Sequence, residues 1–321
     1  MLILTMERMK QPMIEPVMQT VVRYHQFGGS DVLRFERIPL PRPLEGEVLV
    51  RVVSAGVLPV DWKIRKGSFP MPVQFPAIPG TAFSGVVEGT GPGVTAFQKG
   101  QEVFGRSAKG TYAAFTTAAV DAIALKPESV GFDEAAAISG GATTAWRAIE
   151  SAGVKAGDRV LIHGAAGGVG LFAVQFAKCK GAQVIGTAGP ANIDFVRSLG
   201  VDVAVDYMAE PFEHAAQDVD FVLDTIGGET LERSWPVIKR GGTLITITGK
   251  PPVERGMEFG IRVLPSSLAT REDLAAIADL MDEGRVKAVV QHAYPLSEVR
   301  QAHERSEQGH GRGRIVLRIE S

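Results

Sequence analysis

Val160-Leu-Ile-His-Gly164-Ala-Ala-Gly167-Gly-Val-Gly170 carries the chain from an apolar strand, through a glycine-rich turn, into the apolar stretch Leu171 to Lys180 that stops at Gly181. In a strand-turn-helix of this kind Gly164 permits the tight exit, Gly167 lets backbone approach a pyrophosphate, and Gly170 allows the helix to pack closely on the sheet. A diphosphate then meets unpaired amides at the positive end of the helix. Three glycines alone are a weak signal, but here the strand, the helix and the repeated βα pattern around them agree. The expected cradle for a dinucleotide is Gly164, Ala165, Gly167, Gly168 and Val169.

Working outward, Arg159 to His163, Gln183 to Gly186, Val201 to Val205, Val219 to Leu223 and Thr243 to Ile247 are apolar runs of strand length. Helical stretches fit between them, two of which stop at Gly181 and Gly200. This alternation, opened by Asp133 as the expected N-cap of a helix over Glu134 to Ile138, predicts a parallel sheet covered by helices. Before it, short β-like runs such as Glu47 to Val53, Ser84 to Glu88 and Gln101 to Phe104 are cut by Gly and Pro, which predicts a compact, barrel-like β domain. After Pro252 the order is helical (Arg271 to Glu283), extended (Lys287 to His292), helical (Leu296 to Glu307) and extended (Arg314 to Ile319).

The tip of the second strand of a dinucleotide fold selects the ribose, because a carboxylate there binds a free 2′-hydroxyl and repels a 2′-phosphate. This chain has Gly186-Thr187-Ala188-Gly189-Pro190 and no acid. NADPH is therefore expected over NADH, with Asn192 and Arg197 as local phosphate partners. Tyr207 either borders the adenosine or caps the sheet edge. Thr225, Gly227 and Thr248 stand at the ends of the fourth and fifth strands, where ligands of open α/β sheets collect.

The bulk composition narrows the classes further. With 321 residues, 45% of them hydrophobic and 22% charged, the chain has the makings of two ordinary domains. A net charge of −2 offers no broad attraction for nucleic acid or an anionic membrane. One cysteine, Cys179, excludes an internal disulfide and a thiolate zinc cluster, so a reducing cytoplasm is the natural setting. Cys179 reads as a helix-packing thiol. The first 17 residues read as an extension, without the uninterrupted apolar core of a secretion signal.

Four stretches together resemble the zinc-independent medium-chain dehydrogenase/reductases, in particular the quinone oxidoreductase and plant alkenal/enone reductase branch: HGAAGGVG at 163–170, PVDWKIRKG at 59–67, DTIGGETLERSWPVIKRGGTLITI at 224–247 and GRGRIVL at 311–317. The resemblance spans roughly residue 19 to the end. It implies a Rossmann doubly wound parallel sheet plus a GroES-like β-barrel domain. The expected division is an extension over 1–17, a GroES-like substrate domain over 18–130 completed by 265–321, and a Rossmann NADPH-binding domain over 131–264. It also implies that Thr144 holds the nicotinamide amide, that Arg314 contacts the pyrophosphate, and that the protein is a homodimer, for which Thr243 to Thr248 is the expected interface strand.

Where relatives with a catalytic zinc carry its ligands, this chain has Leu58 and Thr81-Ala82, which are not zinc ligands. Without a Lewis acid, hydride delivery to an enone or a quinone is easier than to a simple ketone, because conjugation spreads the developing charge. The expected activity is therefore NADPH-dependent hydride transfer to a quinone or an α,β-unsaturated carbonyl. Lys63 matches a lysine of the plant enone reductases and is the expected aid to the substrate carbonyl or cofactor ribose, with Asp61 fixing its loop. The chain departs from its relatives at Leu58, where an asparagine is common, and at Lys63, where bacterial quinone oxidoreductases have tyrosine; water is then left as the proton source. An NADPH-binding sensor or scaffold with little turnover, and an enoyl-thioester reductase, are the competing readings.

Overall fold

The computed structural model describes residues 16–309 and 311–320, so His310 and most of the extension expected over 1–17 lie outside the described residues. The first part runs β1 (Met18–Arg23), β2 (Arg34–Pro39), β3 (Glu47–Val57), α1 (Pro59–Arg65), β4 (Ala82–Thr90), β5 (Glu102–Arg106), β6 (Phe115–Ala119) and β7 (Ile123–Leu125). The second runs α2 (Phe132–Ala137), α3 (Thr143–Ala152), β8 (Arg159–Ile162), α4 (Gly170–Cys179), β9 (Gln183–Ala188), α5 (Ile193–Ser198) and β10 (Val203–Asp206). It continues through β11 (Val219–Asp224), α6 (Gly228–Ser234), β12 (Ile238–Thr246), α7 (Val253–Phe259) and β13 (Arg262–Leu264). The chain then closes with α8 (Arg271–Asp282), β14 (Val290–Pro295), α9 (Val299–Gln308) and β15 (Arg314–Arg318).

Two larger sheets result. A parallel sheet has the order β10-β9-β8-β11-β12-β13. A mostly antiparallel one has the order β14-β15-β3-β4-β5-β7, with β6 also on β3. The last strands of the chain therefore return to the first sheet, β15 pairing antiparallel with β3. The medium-chain fold, a GroES-like unit joined to a Rossmann sheet, follows from these two sheets.

Local chemistry explains each. In β3 the side chains alternate between buried and half-buried over Glu47 to Val53, as expected of a strand with one face on a core. β8 is apolar without alternation because helices cover both faces of a parallel sheet. α4 buries Leu171, Phe172, Val174 and Phe176 between the sheet, Ala145 and Ile149 of α3, and Leu274, Ile277 and Met281 of α8. Each such side chain contributes about 2 kcal/mol of burial energy. Cys179 is half-buried against this core, its thiol 4.0 Å from the Arg285 carbonyl.

Two expectations need correction. Asp133 is not the N-cap of α2: Gly131 occupies that position, and the Asp133 carboxylate instead accepts from Arg318 Nε at 2.8 Å. Thr243 to Thr248 is not an edge of the sheet either, because β12 is paired on both sides, by β11 and β13. β13 is only three residues long and follows a left-handed Gly260, so no run of strand length marks it in the sequence.

Candidate active site

β8 ends at Ile162, and Gly164 turns the chain with φ of +68°. A Cβ at Gly170 would lie 2.2 Å from the Gly164 carbonyl oxygen, so only glycine lets the first turn of α4 sit against the strand exit. Among the described residues no hydrogen-bond acceptor faces the amides of Gly168 and Val169, which leaves two donors open at the start of α4. Behind them lies Arg314, 5% exposed, donating from Nη2 to the Ser139 carbonyl at 3.4 Å and left without a partner at Nε. Burial pulls its pKa down to about 10, against the raising influence of Asp61, so it stays charged at neutral pH. Open amides and a buried guanidinium with spare donors suit a diphosphate.

These groups line one cleft of about 600 Å³ between the two sheets. Gly164, Gly167, Gly168, Val169, Ala188, Gly189, Asn192, Tyr207, Thr225 and Arg314, all expected from the sequence, line it together. Val57 and Pro59 form its opposite wall. The end nearest β9 is bordered by Tyr207, Met208 and Ile226, all exposed, an apolar surface suited to an adenine ring. Two cations escaped the sequence reading: Arg305 of α9 and Arg312 both line the cleft, and the Arg312 guanidinium lies 5.5 Å from the Phe195 ring centroid of α5.

Other expected residues are held behind the lining. Ala165 is fully buried and donates its amide to the Thr187 carbonyl at 2.9 Å. The Thr187 hydroxyl accepts from the Gly164 amide at 3.1 Å and lies 3.3 Å from His163 Nδ1. The Ser234 hydroxyl donates to the Thr230 carbonyl, so it accepts from His163 Nε2 at 3.0 Å, which fixes the neutral tautomer. Burial pulls the His163 pKa down to about 4. His163 is thus a core residue of the strand. Buried Asp224 organises the neighbouring strand tips: Oδ1 accepts from the Ile226 and Gly227 amides at 3.0 and 2.8 Å, and Oδ2 from the Thr246 and Thr248 hydroxyls at 2.7 and 3.4 Å. Thr225 donates its hydroxyl to the His163 carbonyl at 2.7 Å.

A second hollow of about 410 Å³ is bordered by Tyr24, Asp61, Ile64, Met71, Ile78 and Thr81 and shares no lining residue with the first. Asp61 is 3% exposed, accepts from the Leu58 amide at 2.8 Å and from Tyr112 Oη at 3.3 Å through Oδ2, and has no partner at Oδ1. Burial pushes its pKa up to about 7, against these donors and Arg314. Lys63 is half-buried on α1, with Nζ 5.6 Å from the Trp62 ring centroid, and borders neither hollow. Thr144 sits just after an irregular turn over Ile138–Ala142 and donates its hydroxyl to the Gly140 carbonyl at 2.7 Å. Leu58 is buried against that turn, where a Cβ on Gly140 would fall 2.6 Å from Leu58 Cδ1.

Comparison with known proteins agrees with this architecture. Residues 44–147 match the alcohol dehydrogenase GroES-like domain and residues 199–317 match the zinc-binding dehydrogenase domain. Quinone oxidoreductase of Mus musculus is 33% identical over 319 residues, covering 92% of this chain and 96% of that protein. The chain belongs to the quinone oxidoreductase branch of the medium-chain dehydrogenase/reductases. Within that branch, the chloroplastic NADPH-dependent alkenal/one oxidoreductase of Arabidopsis thaliana is 32% identical over 311 residues, covering 92% of this chain and 78% of that protein. Escherichia coli quinone oxidoreductase, solved in complex with NADPH, superimposes with a TM-score of 0.85 at 29% identity, covering 93% of this chain and 99% of that one.

As a member of this branch the chain is a nicotinamide-dependent oxidoreductase. Although one matching domain is described as zinc-binding, no group of three or more His, Cys, Asp or Glu among the described residues is arranged to hold a metal ion. No helix among them is long and apolar enough to cross a membrane.

Proposed function

We propose that this protein is a cytoplasmic, zinc-independent reductase that uses NADPH to reduce a quinone or an α,β-unsaturated carbonyl. The observation that carries the reading is the cradle in which the open amides of Gly168 and Val169 meet Arg314, at the cleft whose β9 tip has no acid. Full-length relatives named for quinone and alkenal reduction support the acceptor class. They disfavour a sensor or scaffold without turnover and an enoyl-thioester reductase.

Bound reduced nicotinamide supplies the hydride. Gly164, Ala165, Gly167, Gly168 and Val169 bring backbone to the diphosphate, and Arg314 neutralises it. The Thr144 hydroxyl, whose proton is committed to Gly140, accepts from the carboxamide. Thr187, Ala188, Gly189, Asn192 and Tyr207 border the adenosine; Thr225, Gly227 and Thr248 shape the strand tips on the nicotinamide side. Arg305 and Arg312, which line the cleft, would bind the 2′-phosphate and so give a preference for NADPH. The conjugated acceptor stacks on the nicotinamide within the cofactor cleft, beside the apolar Val57 and Pro59. Lys63, on α1 and outside both hollows, acts on the acceptor carbonyl or the cofactor ribose by long-range electrostatics, and Asp61 fixes the start of α1 that carries it. A homodimer forms along the exposed edge β13.

The test is consumption of NADPH against quinones, enals, enones and an enoyl thioester. Turnover with quinones or enones supports the proposal, and tight NADPH binding without turnover on any acceptor overturns it. Lys63→Ala should lower kcat on enones and leave NADPH affinity intact; unchanged kcat would remove Lys63 from the mechanism.

A further inference from the structure

Asp61 stands third in α1 and accepts from the Leu58 amide, which a local helix cap would require and no more. Its remaining partners come from far away in the chain. Arg65 is fully buried and its Nη1 lies 3.0 Å from His303 Nδ1 on α9; a guanidinium only donates, so Nδ1 is the acceptor. His303 then carries its proton on Nε2, 3.2 Å from Tyr112 Oη, and donates it there. That leaves the Tyr112 hydroxyl proton for Asp61 Oδ2, at 3.3 Å. The order of donors is fixed without ambiguity, Arg65 to His303 to Tyr112 to Asp61. Its outer end is anchored, because Arg65 also donates to the Gly28 carbonyl and pairs with Glu307, which takes Lys66 as well.

The inner end reaches the reaction cleft. Asp61 holds the amide of Leu58, whose neighbours Val57 and Pro59 wall the cofactor cleft, while its own side chain borders the second hollow. We propose that His303 and Tyr112 are positioning residues for the reaction: with Arg65 they form a one-way donor chain that ends on Asp61 and holds the Val57–Pro59 turn against the cofactor. The chain also ties α9, which reaches the cofactor cleft through Arg305, to the Val57–Pro59 turn. This inference rests on the proposed nicotinamide site.

A merely structural network would not tie cofactor affinity to the Asp61 charge, whereas a positioning chain ending beside Arg314 should. The charged and titratable groups facing Asp61 are Arg314 from β15, Tyr24 just after β1, Tyr112 from the β5-β6 connection, and, through the chain, His303 and Arg65. Burial pushes Asp61 up to about 7 and holds His303 down at about 3, so Asp61 is the member that changes charge near neutrality. An ionised Asp61 offsets Arg314 and opposes the diphosphate. A neutral one does not.

The experiment is the Kd of NADH from about pH 5 to 9, because its diphosphate does not titrate there whereas a 2′-phosphate does at about 6. In the parent, affinity should rise about three- to tenfold as pH falls through an inflection near neutrality. Tyr112→Phe withdraws a donor from the carboxylate and should move the inflection up by about one unit. His303→Leu should do the same. His303→Gln, which accepts from Arg65 and donates to Tyr112, should restore the parent profile. An inflection absent from the parent, or unmoved in a Tyr112→Phe protein of native circular dichroism, overturns the inference. Failure to bind NADH or NADPH at any pH would instead overturn the nicotinamide site itself.

Discussion

A methyl group added at Gly168 should weaken dinucleotide binding and destabilise the fold less than the same change at Gly170. Its Cβ would lie 2.5 Å from Arg314 Nη1 and 3.0 Å from Arg314 Cδ, so the guanidinium has to move. Arg314 is buried between Ser139 and Gly141 and has little room, so the cost falls on the cation that receives the diphosphate. Displacing the guanidinium at a cost of about 1 to 3 kcal/mol corresponds to about 5- to 150-fold in Kd. Three companion substitutions calibrate the result. Gly89→Ala meets nothing within 4 Å and should change neither quantity; Gly167→Ala, 3.2 Å from the Gly164 carbonyl, should weaken binding slightly. Gly170→Ala meets backbone, at 2.2 Å from that carbonyl and 2.8 Å from the Ala165 Cα, and should lower Tm as well as affinity because the helix must lift from the sheet. Fluorescence titration with NADPH and thermal melts measure both quantities. Parental affinity in Gly168→Ala, with Gly170→Ala destabilised as expected, would refute Arg314 as the diphosphate ligand.

Asp61→Asn should raise stability at alkaline pH. The folded pKa of Asp61 is about 7 against an ordinary 3.8, so its contribution to stability is full below the unfolded value and lost as pH rises through 7. Asparagine mimics the protonated form, and the advantage of the variant should grow from acid pH to a plateau of about 4 kcal/mol above neutrality. Denaturant unfolding at several pH values checks this, and a variant advantage that shrinks with rising pH would contradict it. His163 should stay neutral: its C2 proton resonance should titrate well below its ordinary range, and a midpoint between about 6 and 7 would deny its burial. Arg305→Glu with Arg312→Glu should weaken NADPH by about 100-fold or more and NADH far less, since charge-assisted hydrogen bonds contribute about 1.5 to 3 kcal/mol each; equal losses for both cofactors would remove them from the 2′-phosphate site.

The features legible in the sequence are those whose causes are local. The glycine turn after β8 is one, because its tight exit and close helix approach leave no other residue type at Gly164 and Gly170. The apolar runs of the parallel sheet are another. What escaped the sequence depends on contacts across the chain. β12 begins at Ile238 rather than Thr243, since Val219 pairs with Ile238 while Phe221 pairs with Thr243, and the intervening Lys-Arg-Gly-Gly reads as a turn. β13 exists because β12 offers it an edge. Asp133 reads as a cap until Arg318, far along the chain, takes its carboxylate. At the site, Arg305 and Arg312 look like surface charges until α9 and β15 return to the first sheet. Arg65, Tyr112 and His303, too, are unremarkable singly and meaningful only when folded together.

The proposed reaction is hydride transfer from a reduced nicotinamide to a conjugated acceptor. Its most direct test is turnover of NADPH carrying deuterium at C4, prepared in each of its two stereochemical forms, with an enone, followed by mass and NMR analysis of the product. One labelled form should deliver deuterium to the β-carbon of the saturated ketone, with the rate unchanged by a metal chelator. Cofactor oxidation without label in the product, or loss of activity that added zinc restores, would contradict the account.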